Sequence, residues 1–113
     1  MRLTPLLGIL ALTVTACEPK RPPIPQGIGI PMEKALAGQD VFYRKDCVDC
    51  HVLDGVGGKM GPSLTGIGSV RDEQTLRGWI SDPQGMRRTS SMPRIPLTPE
   101  ELDLVTSWLF AHK

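Results

Sequence analysis

Five consecutive residues limit the possible folds of this chain more than any others: Cys47, Val48, Asp49, Cys50 and His51. Two thiols three positions apart, with an imidazole directly after the second, form the pattern to which haem is attached covalently. The thiols can add to the two vinyl groups of one haem, and the short spacing places the histidine under the iron. The sequence therefore predicts one covalently bound haem c on Cys47 and Cys50, with His51 as an iron ligand.

Two other kinds of site use the same residue types. A thioredoxin-like redox pair lies in a βαβ unit, and no strand-forming run precedes Cys47. A structural zinc site needs four ligands. Beyond the three residues of the motif, the chain offers only His112, which we expect to lie at a frayed C-terminus, and Cys17, for which another role is predicted below. Haem is therefore the interpretation that the motif favours.

The rest of the composition indicates that such a cofactor is needed. The chain has 113 residues, of which 4% are aromatic, together with 12 Gly and 11 Pro, so its apolar core is small. A core of this size commonly needs disulfides, a metal or a cofactor to be stable. Three Cys are too few for a disulfide framework. No apolar run reaches the roughly 18–20 residues of a transmembrane helix, and a net charge of +1 predicts no nucleic-acid partner.

Residues 1–16 have the pattern of an export signal. A short basic start at Arg2 precedes a mostly apolar run from Leu3 to Val14 that is too short to span a membrane. The boundary Val14-Thr15-Ala16-Cys17 resembles the lipobox of bacterial lipoproteins, in which cleavage leaves the cysteine as the lipid-carrying first residue. The resemblance implies a protein anchored by lipid on Cys17, on the periplasmic side of a membrane. An ordinary cleaved signal with a chance cysteine is the alternative.

Residues 17–34 are interpreted as the lipidated cysteine and a tether. Five prolines lie between Glu18 and Pro31, and the segment has no helical period. Proline fixes φ and lacks an N–H donor, so the segment is expected to be extended. At about 3 Å per residue, some 15 residues reach roughly 45 Å, enough to hold a domain away from a membrane. A tail without a spacing role is the alternative, and residues 35–113 remain as the folded domain.

Three main helices are predicted in the domain, which makes it all-α. In the first, which precedes the haem motif, Gly38 lies four residues before Phe42 and so shares its face. A glycine inside a helix costs about 1 kcal/mol relative to alanine, so it needs a packing reason.

The second and third helices are predicted from their N-caps. Asp72 precedes a stretch whose apolar side chains share one face and which ends before Pro83. Thr98 and Glu101 bracket a proline in the arrangement of a capping box, and an apolar stripe follows to Leu109. Each helix thus begins at a residue type that satisfies free backbone N–H groups.

Together these motifs resemble the class I bacterial cytochromes c, the small mono-haem type. The resemblance covers residues 35–113 and includes the Gly-x-x-x-aromatic pair, the sequence Gly61-Pro62-Ser63-Leu64, and Met92-Pro93 ahead of the last helix. It implies the small cytochrome c fold, with three main helices and loops wrapped around one haem. In that fold the first helix crosses the last one closely, so Val105 and Trp108 are the expected packing partners of Gly38 and Phe42. It also implies that the Pro62 carbonyl accepts the Nδ1–H of His51 and that Leu64 packs on the haem edge.

The resemblance also implies the second axial ligand. Methionine is the usual choice of the family, and its thioether raises the reduction potential. Met92 matches the family's position, while Met86 and Met60 are the alternatives, although Met60 lies in the turn on the His51 side. Trp79 is expected to donate its indole N–H to a haem propionate, as a buried indole seeks a partner. Plain core packing is the alternative for Trp79.

The function that the resemblance implies is single-electron transfer, with redox proteins as partners and no catalytic residues. Arg87, Arg88 and Arg94 flank Met92, and a basic rim there would favour a partner with an acidic docking face. A solvated loop, or an arginine paired with a propionate, is the other interpretation. Two other functions stay open: an electron-transfer subunit of a respiratory oxidase, reductase or dehydrogenase, and a haem peroxidase or gas-binding protein.

Overall fold

The computed structural model describes residues 29–113, so the predicted export signal, Cys17 and residues 17–28 of the tether lie outside the described part. The described residues form six helices: α1 (Met32–Arg44), α2 (Cys47–Cys50), α3 (Ile67–Val70), α4 (Glu73–Ser81), α5 (Pro83–Met86) and α6 (Pro99–Phe110). Within residues 29–113 the only β pairing is one bridge between Leu53 and Val56. No helix in this range is long and apolar enough to cross a membrane. The predicted all-α class is confirmed.

The longest two helices, α1 and α6, cross at Gly38. A Cβ at this position would lie 2.4 Å from Trp108 Cβ and 2.5 Å from the carbonyl oxygen of Leu104, which is closer than real atoms approach. The Phe42 and Trp108 rings pack beside this crossing with their centroids 5.3 Å apart, and both side chains are fully buried. The close packing at Gly38 that the resemblance implied is therefore present, with Trp108 as the partner.

The apolar core is small and is centred on the α1–α6 crossing. Its buried members come from α1, the loop after α2, α4 and α6: Ala35, Val41, Phe42, Leu53, Leu76, Val105, Trp108 and Leu109. Burial of each large apolar side chain stabilises the fold by roughly 1.5–3 kcal/mol. Ile30 packs partly against this core, and α1 begins at Met32, so ordered packing starts inside the segment interpreted as the tether.

The N-caps of α4 and α6 are the predicted residues. The Asp72 carboxylate accepts the backbone N–H of Thr75 at 2.7 Å, and the Thr98 hydroxyl accepts that of Glu101 at 3.1 Å. In a reciprocal capping box the glutamate would reach back to the Thr98 N–H. Here its carboxylate instead pairs with the end of α1, which ties the start of α6 to the helix before the haem motif.

The ion pairs of Glu101 make this link. Its Oε2 lies 3.3 Å from Lys45 Nζ, and its Oε1 lies 3.7 Å from an Arg44 guanidinium nitrogen. Burial alone would raise the pKa of Glu101, but the hydrogen bond and charge of Lys45, with the Thr98 backbone and Arg44, lower it overall. The carboxylate is thus held in its charged form in the folded protein.

The C-terminus is not frayed, and the expectation for His112 was wrong. Its side chain is 3% exposed, and its Nδ1 lies 2.8 Å from the carbonyl oxygen of Trp108. The His112 carbonyl accepts the Gly68 N–H at 2.7 Å, and Lys113 Nζ donates to the Gly68 carbonyl at 2.9 Å. These bonds hold the end of the chain against α3. The expectation rested only on the position of His112 after the last helix, and that position does not report such contacts.

Candidate haem site

The haem motif folds as a single helical turn followed by an extended residue. Asp46, at φ 60°, turns the chain sharply between α1 and α2. Cys47 and Cys50 are three residues apart on α2, so they share one face of the turn. Both thiols are free and half-buried. His51 leaves the turn in an extended conformation while its N–H still donates to the Cys47 carbonyl at 3.1 Å.

The His51 ring is fixed through one of its two nitrogens. Nδ1 lies 2.8 Å from the carbonyl oxygen of Pro62. Because a carbonyl can only accept, Nδ1 carries the hydrogen, and Nε2 is the nitrogen that remains to bind a metal. The hydrogen bond that the resemblance implied is therefore present, and it sets both the tautomer and the plane of the ring.

Gly61 supports the same ring by steric contact. A Cβ there would lie 2.6 Å from His51 Cε1 and 2.9 Å from Nδ1, so the ring rests against the bare backbone. The Gly61 N–H donates to the Cys50 carbonyl at 2.7 Å, which binds this stretch to the α2 turn. In the sequence, Gly61 was identified only as part of the Gly61-Pro62-Ser63-Leu64 motif. Its position directly before Pro62, which accepts from His51, could have indicated its contact with the ring.

The glycine-rich run after the motif packs on the same turn. The Gly58 N–H donates to the Val48 carbonyl at 2.9 Å. A Cβ at Gly58 would lie 1.8 Å from the carbonyl oxygen of Asp49, so only glycine fits this approach of two backbones. The glycines of this run thus build the His51 side of the site, a role that the sequence analysis missed because such a run resembles an ordinary loop.

Leu64 lies two residues after Pro62, on the same side of the site as His51. It is half-buried and packs against the apolar core, and its N–H donates to the Val52 carbonyl at 2.7 Å. This bond holds the segment from Gly61 to Leu64 beside the residues that follow His51. Pro62 and Leu64 are therefore positioned by the same strip of backbone.

Met92 lies in the loop between α5 and α6, and both of its peptide groups are hydrogen-bonded to side chains. Its N–H donates to Ser90 Oγ at 3.2 Å, and its carbonyl accepts from Gln84 Nε2 at 2.7 Å. The side chain is half-buried. The sequence analysis named Met92 but not the two residues that hold its backbone.

The other two candidate methionines have different surroundings. Met60 is 88% exposed. Met86 packs against α4, since a Cβ at Gly78 would lie 2.7 Å from its Sδ. Met92 is the least exposed of the three. A soft thioether donor on a half-buried loop is the kind of axial ligand that a haem iron takes.

Trp79 lies on α4, half-buried, and is not a member of the apolar core cluster. Within residues 29–113 its indole N–H has no hydrogen-bond acceptor. It differs in position from Trp108, the centre of the core. The indole N–H is therefore available to an acceptor that the protein does not itself supply.

The surroundings of Cys47 disfavour the two alternative sites, a thioredoxin-like redox pair and a structural zinc site. Burial raises the pKa of the Cys47 thiol to about 11, and the nearby charges of Asp46 and Asp49 act in the same direction. Redox-active and zinc-binding cysteines have lowered pKa values because the thiolate is the working form. No three His, Cys, Asp or Glu side chains in the described part of the chain lie close enough together to hold a metal ion.

The donor set fits haem c. Two thiols lie on the same face of one turn, an imidazole is oriented with Nε2 available, and a thioether lies on a loop that follows α5. Each of these groups has the chemistry that covalent haem attachment or axial ligation needs. The hydrogen bonds and steric contacts described above hold these groups in place, so the protein fold itself positions the donors.

Comparison with known proteins agrees with a covalently bound haem. A family model described as Cytochrome c matches residues 35–112. The chain is 35% identical over 83 residues to a subunit of the nitric oxide reductase of Paracoccus denitrificans, which covers 66% of this chain and 55% of that protein. It is 28% identical over 88 residues to cytochrome c oxidase subunit 2 of Alkalihalophilus pseudofirmus, covering 70% of this chain and 26% of that protein.

The corresponding nitric oxide reductase subunit from Cereibacter sphaeroides is 30% identical over 78 residues, which covers 61% of this chain and 53% of that protein. The chain therefore spans just over half the length of these reductase subunits and about a quarter of the oxidase subunit. The family model covers nearly all of the described residues, from the start of α1 to the buried C-terminus. The chain, which carries the Cys47, Cys50 and His51 motif, belongs to the cytochrome c family and binds haem c covalently.

Proposed function

We propose that this chain is a single-electron carrier whose haem iron is held by His51 and Met92. The observation that carries the proposal is the hydrogen bond between His51 Nδ1 and Pro62, which leaves Nε2 as a strong, oriented donor. When bound, the haem accepts and releases one electron at its iron. Every other part of the function is the work of the surrounding residues.

Those residues keep the iron surroundings the same in both oxidation states. Cys47 and Cys50 prevent the cofactor from leaving. His51, whose ring is held by backbone, would bind the haem iron, and Met92 would supply the second protein ligand, which would exclude substrates from the metal. Because neither ligand has to move far, little rearrangement accompanies the gain of an electron. The weak thioether donor favours the reduced state and so raises the potential.

The ligand assignment is tested by a spectroscopic redox titration of the intact holoprotein. Met92→Ala is expected to lose the Met–iron charge-transfer band of the ferric form and to show a large fall in reduction potential. Met60→Ala is the matched control, since Met60 is 88% exposed, and it should behave as wild type. A wild-type spectrum for Met92→Ala would assign the ligand role elsewhere.

The same samples test the enzymatic alternative. With both axial positions filled, the reduced wild-type protein should not bind carbon monoxide, whereas Met92→Ala should bind it readily. Carbon monoxide binding by the wild type would favour a peroxidase or a gas-binding protein over an electron carrier.

The proposed location is the periplasmic side of a membrane, through lipid on Cys17. Its support is the lipobox-like sequence, which lies outside the described residues. Cys17→Ser is expected to move the haem protein from the membrane fraction to the soluble periplasmic fraction, while Cys47 and Cys50 still carry haem. Retention of Cys17→Ser in the membrane would contradict the anchor.

The proposed docking surface for redox partners is the loop that carries Met92. Arg87 and Arg88 are exposed and pair with no carboxylate among residues 29–113. Arg94 differs, because its guanidinium pairs with Asp82, so two of the three predicted arginines carry the free positive charge. Electron transfer to an acidic partner should slow with added salt, and Arg87→Glu should weaken that dependence. A salt-independent rate would contradict a charged docking face.

A second candidate function is supported by the comparisons. The relatives are named as subunits of nitric oxide reductases and of a cytochrome c oxidase. By this proposal the domain is a fixed electron-transfer subunit of a respiratory complex. Extraction in a mild detergent followed by size-exclusion chromatography separates the two: co-elution with other subunits at constant stoichiometry supports the complex, and elution as a single haem protein supports the free carrier.

A further inference from the structure

We propose that Gln84 is the positioning residue for Met92, an inference that rests on the proposed role of Met92 as an iron ligand. Gln84 lies on α5, and its side-chain nitrogen is 2.7 Å from the Met92 carbonyl oxygen and 3.2 Å from that of Ser90. An amide NH₂ group has two N–H donors. Each of them therefore has one carbonyl of the Met92 loop as its acceptor.

The loop depends on such side-chain bonds because its own backbone supplies few. From 91 to 97 the described chain makes no backbone–backbone hydrogen bond. Peptide groups without regular partners are satisfied by side chains or water. Ser90 Oγ accepts the Met92 N–H at 3.2 Å, and the Ser90 N–H donates to the Arg87 carbonyl at 2.9 Å. Gln84 completes this set on the carbonyl side of Met92.

The base from which Gln84 reaches is itself fixed. Pro83, the residue before it, is fully buried. Asp82 caps α5 by accepting the Gly85 N–H at 3.2 Å. Its backbone N–H also donates to the Gly78 carbonyl of α4 at 2.9 Å. The short helix α5 is therefore held against α4, and the hydrogen bonds of Gln84 connect it to the loop that carries Met92.

One other contact joins the same two segments, the ion pair between Arg94 and Asp82. Their side chains are 66% and 51% exposed. An ion pair this exposed commonly contributes no more than one hydrogen bond, and Gln84, which is also exposed, makes two. The ion pair also lies two residues beyond Met92, whereas Gln84 bonds the peptide group of Met92 itself. Gln84 is therefore the stronger constraint on where the thioether lies.

The consequence concerns the return of the thioether to the iron. If the Met92 thioether left the iron, a fixed backbone would favour its return over the binding of an external ligand. The side-chain hydrogen bonds of Gln84 go to two backbone carbonyls of the loop, so it would act by keeping the Met92 carbonyl in place. Its removal should weaken the competition of Met92 against an added ligand without removing Met92 as a ligand.

Imidazole titration of the ferric holoprotein tests this inference, with the Met–iron charge-transfer band as the readout. Gln84→Ala should bind imidazole about threefold to tenfold more tightly than wild type, the fold-change expected for loss of hydrogen bonds of ordinary strength. Gln84→Glu keeps the length of the side chain but cannot donate to a carbonyl when ionised, so its imidazole affinity should rise as well. Gln74→Ala is the matched control, an exposed glutamine on α4 without a side-chain hydrogen bond in the described part of the chain.

The outcomes separate this inference from the proposed function. Wild-type imidazole affinity in both Gln84 variants would overturn the positioning role, and a lower melting temperature without a change in imidazole affinity would overturn it too, since that result describes a merely structural residue. If Met92→Ala retains the charge-transfer band, the proposed ligand fails first. Loss of that band in Met92→Ala, with tighter imidazole binding in both Gln84 variants but not in Gln74→Ala, supports both.

Discussion

The two sides of the haem site are held by different kinds of contact. On the His51 side, the ring rests on the backbone of Gly61 and bonds the Pro62 carbonyl at 2.8 Å. On the Met92 side, the ligand loop is held by the side chains of Gln84 and Ser90. The first set combines a close steric contact between the ring and the Gly61 backbone with one exposed side-chain hydrogen bond. The second consists of side-chain hydrogen bonds near the protein surface.

This difference indicates where the site can give way. Steric contact between backbones changes only when the fold around it changes. Hydrogen bonds near the surface compete with water, and each contributes about 0.5–1.5 kcal/mol. The imidazole of His51 should therefore stay on the iron under conditions in which the thioether exchanges. Substitutions can separate the two sides, beginning with the change that should affect both.

The largest effect is expected from preventing haem attachment with the double variant Cys47→Ala/Cys50→Ala. The apolar core is small and poor in aromatic residues, and the haem would supply much of its buried surface. The variant should lose the cooperative thermal transition that the holoprotein shows by circular dichroism. Met60→Ala, at an exposed site nearby, should keep it. A cooperative transition in the double variant would show that the protein contacts on the His51 side suffice without haem.

Gly61→Ala is expected to have the next largest effect, confined to the His51 side. The added methyl group would lie 2.6 Å from the ring, and overpacking of this kind costs typically about 1–3 kcal/mol. Denaturant titration of the holoprotein should show this loss of stability, together with a shifted spectrum, while imidazole affinity for the ferric iron changes little.

Gly55→Ala is the control for this substitution. At Gly55 a Cβ would meet no atom within 4 Å, although φ is +82°. The control therefore carries backbone strain without the ring contact, and its spectrum should match the wild type. Equal spectral changes in the two variants would contradict the steric role of Gly61.

A smaller effect is expected on the Met92 side from Ser90→Ala. This change removes the acceptor of the Met92 N–H, which can then donate to water instead. The free energy lost is therefore at the low end of the range for a hydrogen bond. Imidazole should bind the ferric form about twofold to threefold more tightly, by the same range. The neighbour Ser91→Ala, exposed and without a hydrogen bond in the described part, is the matched control. Reduced stability without tighter imidazole binding would place Ser90 outside the ligand-holding set.

The sequence predicted the parts of this site that local chemistry or a short motif determines. The spacing of Cys47 and Cys50 indicated haem. The crossing at Gly38 and the His51–Pro62 hydrogen bond were implied by motifs of the family. These features depend on short motifs, even where the residues that meet are far apart in sequence.

The features that the sequence did not reveal are pairings across the fold. Gln84 bonds residues six and eight positions later, yet an exposed glutamine next to a proline has no periodic signal. Gly58 resembles a flexible loop residue, although it packs on the backbone of Asp49. His112 lies at the chain end and is nevertheless buried. None of these contacts belongs to a motif that the sequence analysis identified, and patterns of apolar residues do not report where a loop or a chain end meets the rest of the fold.

The smallest predicted effect concerns the scaffold shared by both sides, through Glu101 and its ion pairs with Lys45 and Arg44. Its folded-state pKa is lowered, so its stabilising contribution is present above the ordinary glutamate value of about 4.3 and is lost as pH falls through the folded-state value. Glu101→Gln should melt at a lower temperature than wild type at about pH 7. The difference should shrink towards zero as the solution is acidified well below the ordinary value.

Glu100→Gln controls for the loss of one negative charge, because Glu100 is exposed and forms no ion pair among the described residues. Subtracting the change in melting temperature of Glu100→Gln at each pH removes the contribution of the other groups that titrate in acid, including any on the haem. Because Glu101 joins α1 to α6 rather than either ligand to its support, the imidazole affinity of Glu101→Gln should equal that of the wild type at neutral pH. A pH-independent difference in melting temperature would mean that the glutamate stabilises by packing, and a change in imidazole affinity would mean that the scaffold and the Met92 loop are coupled.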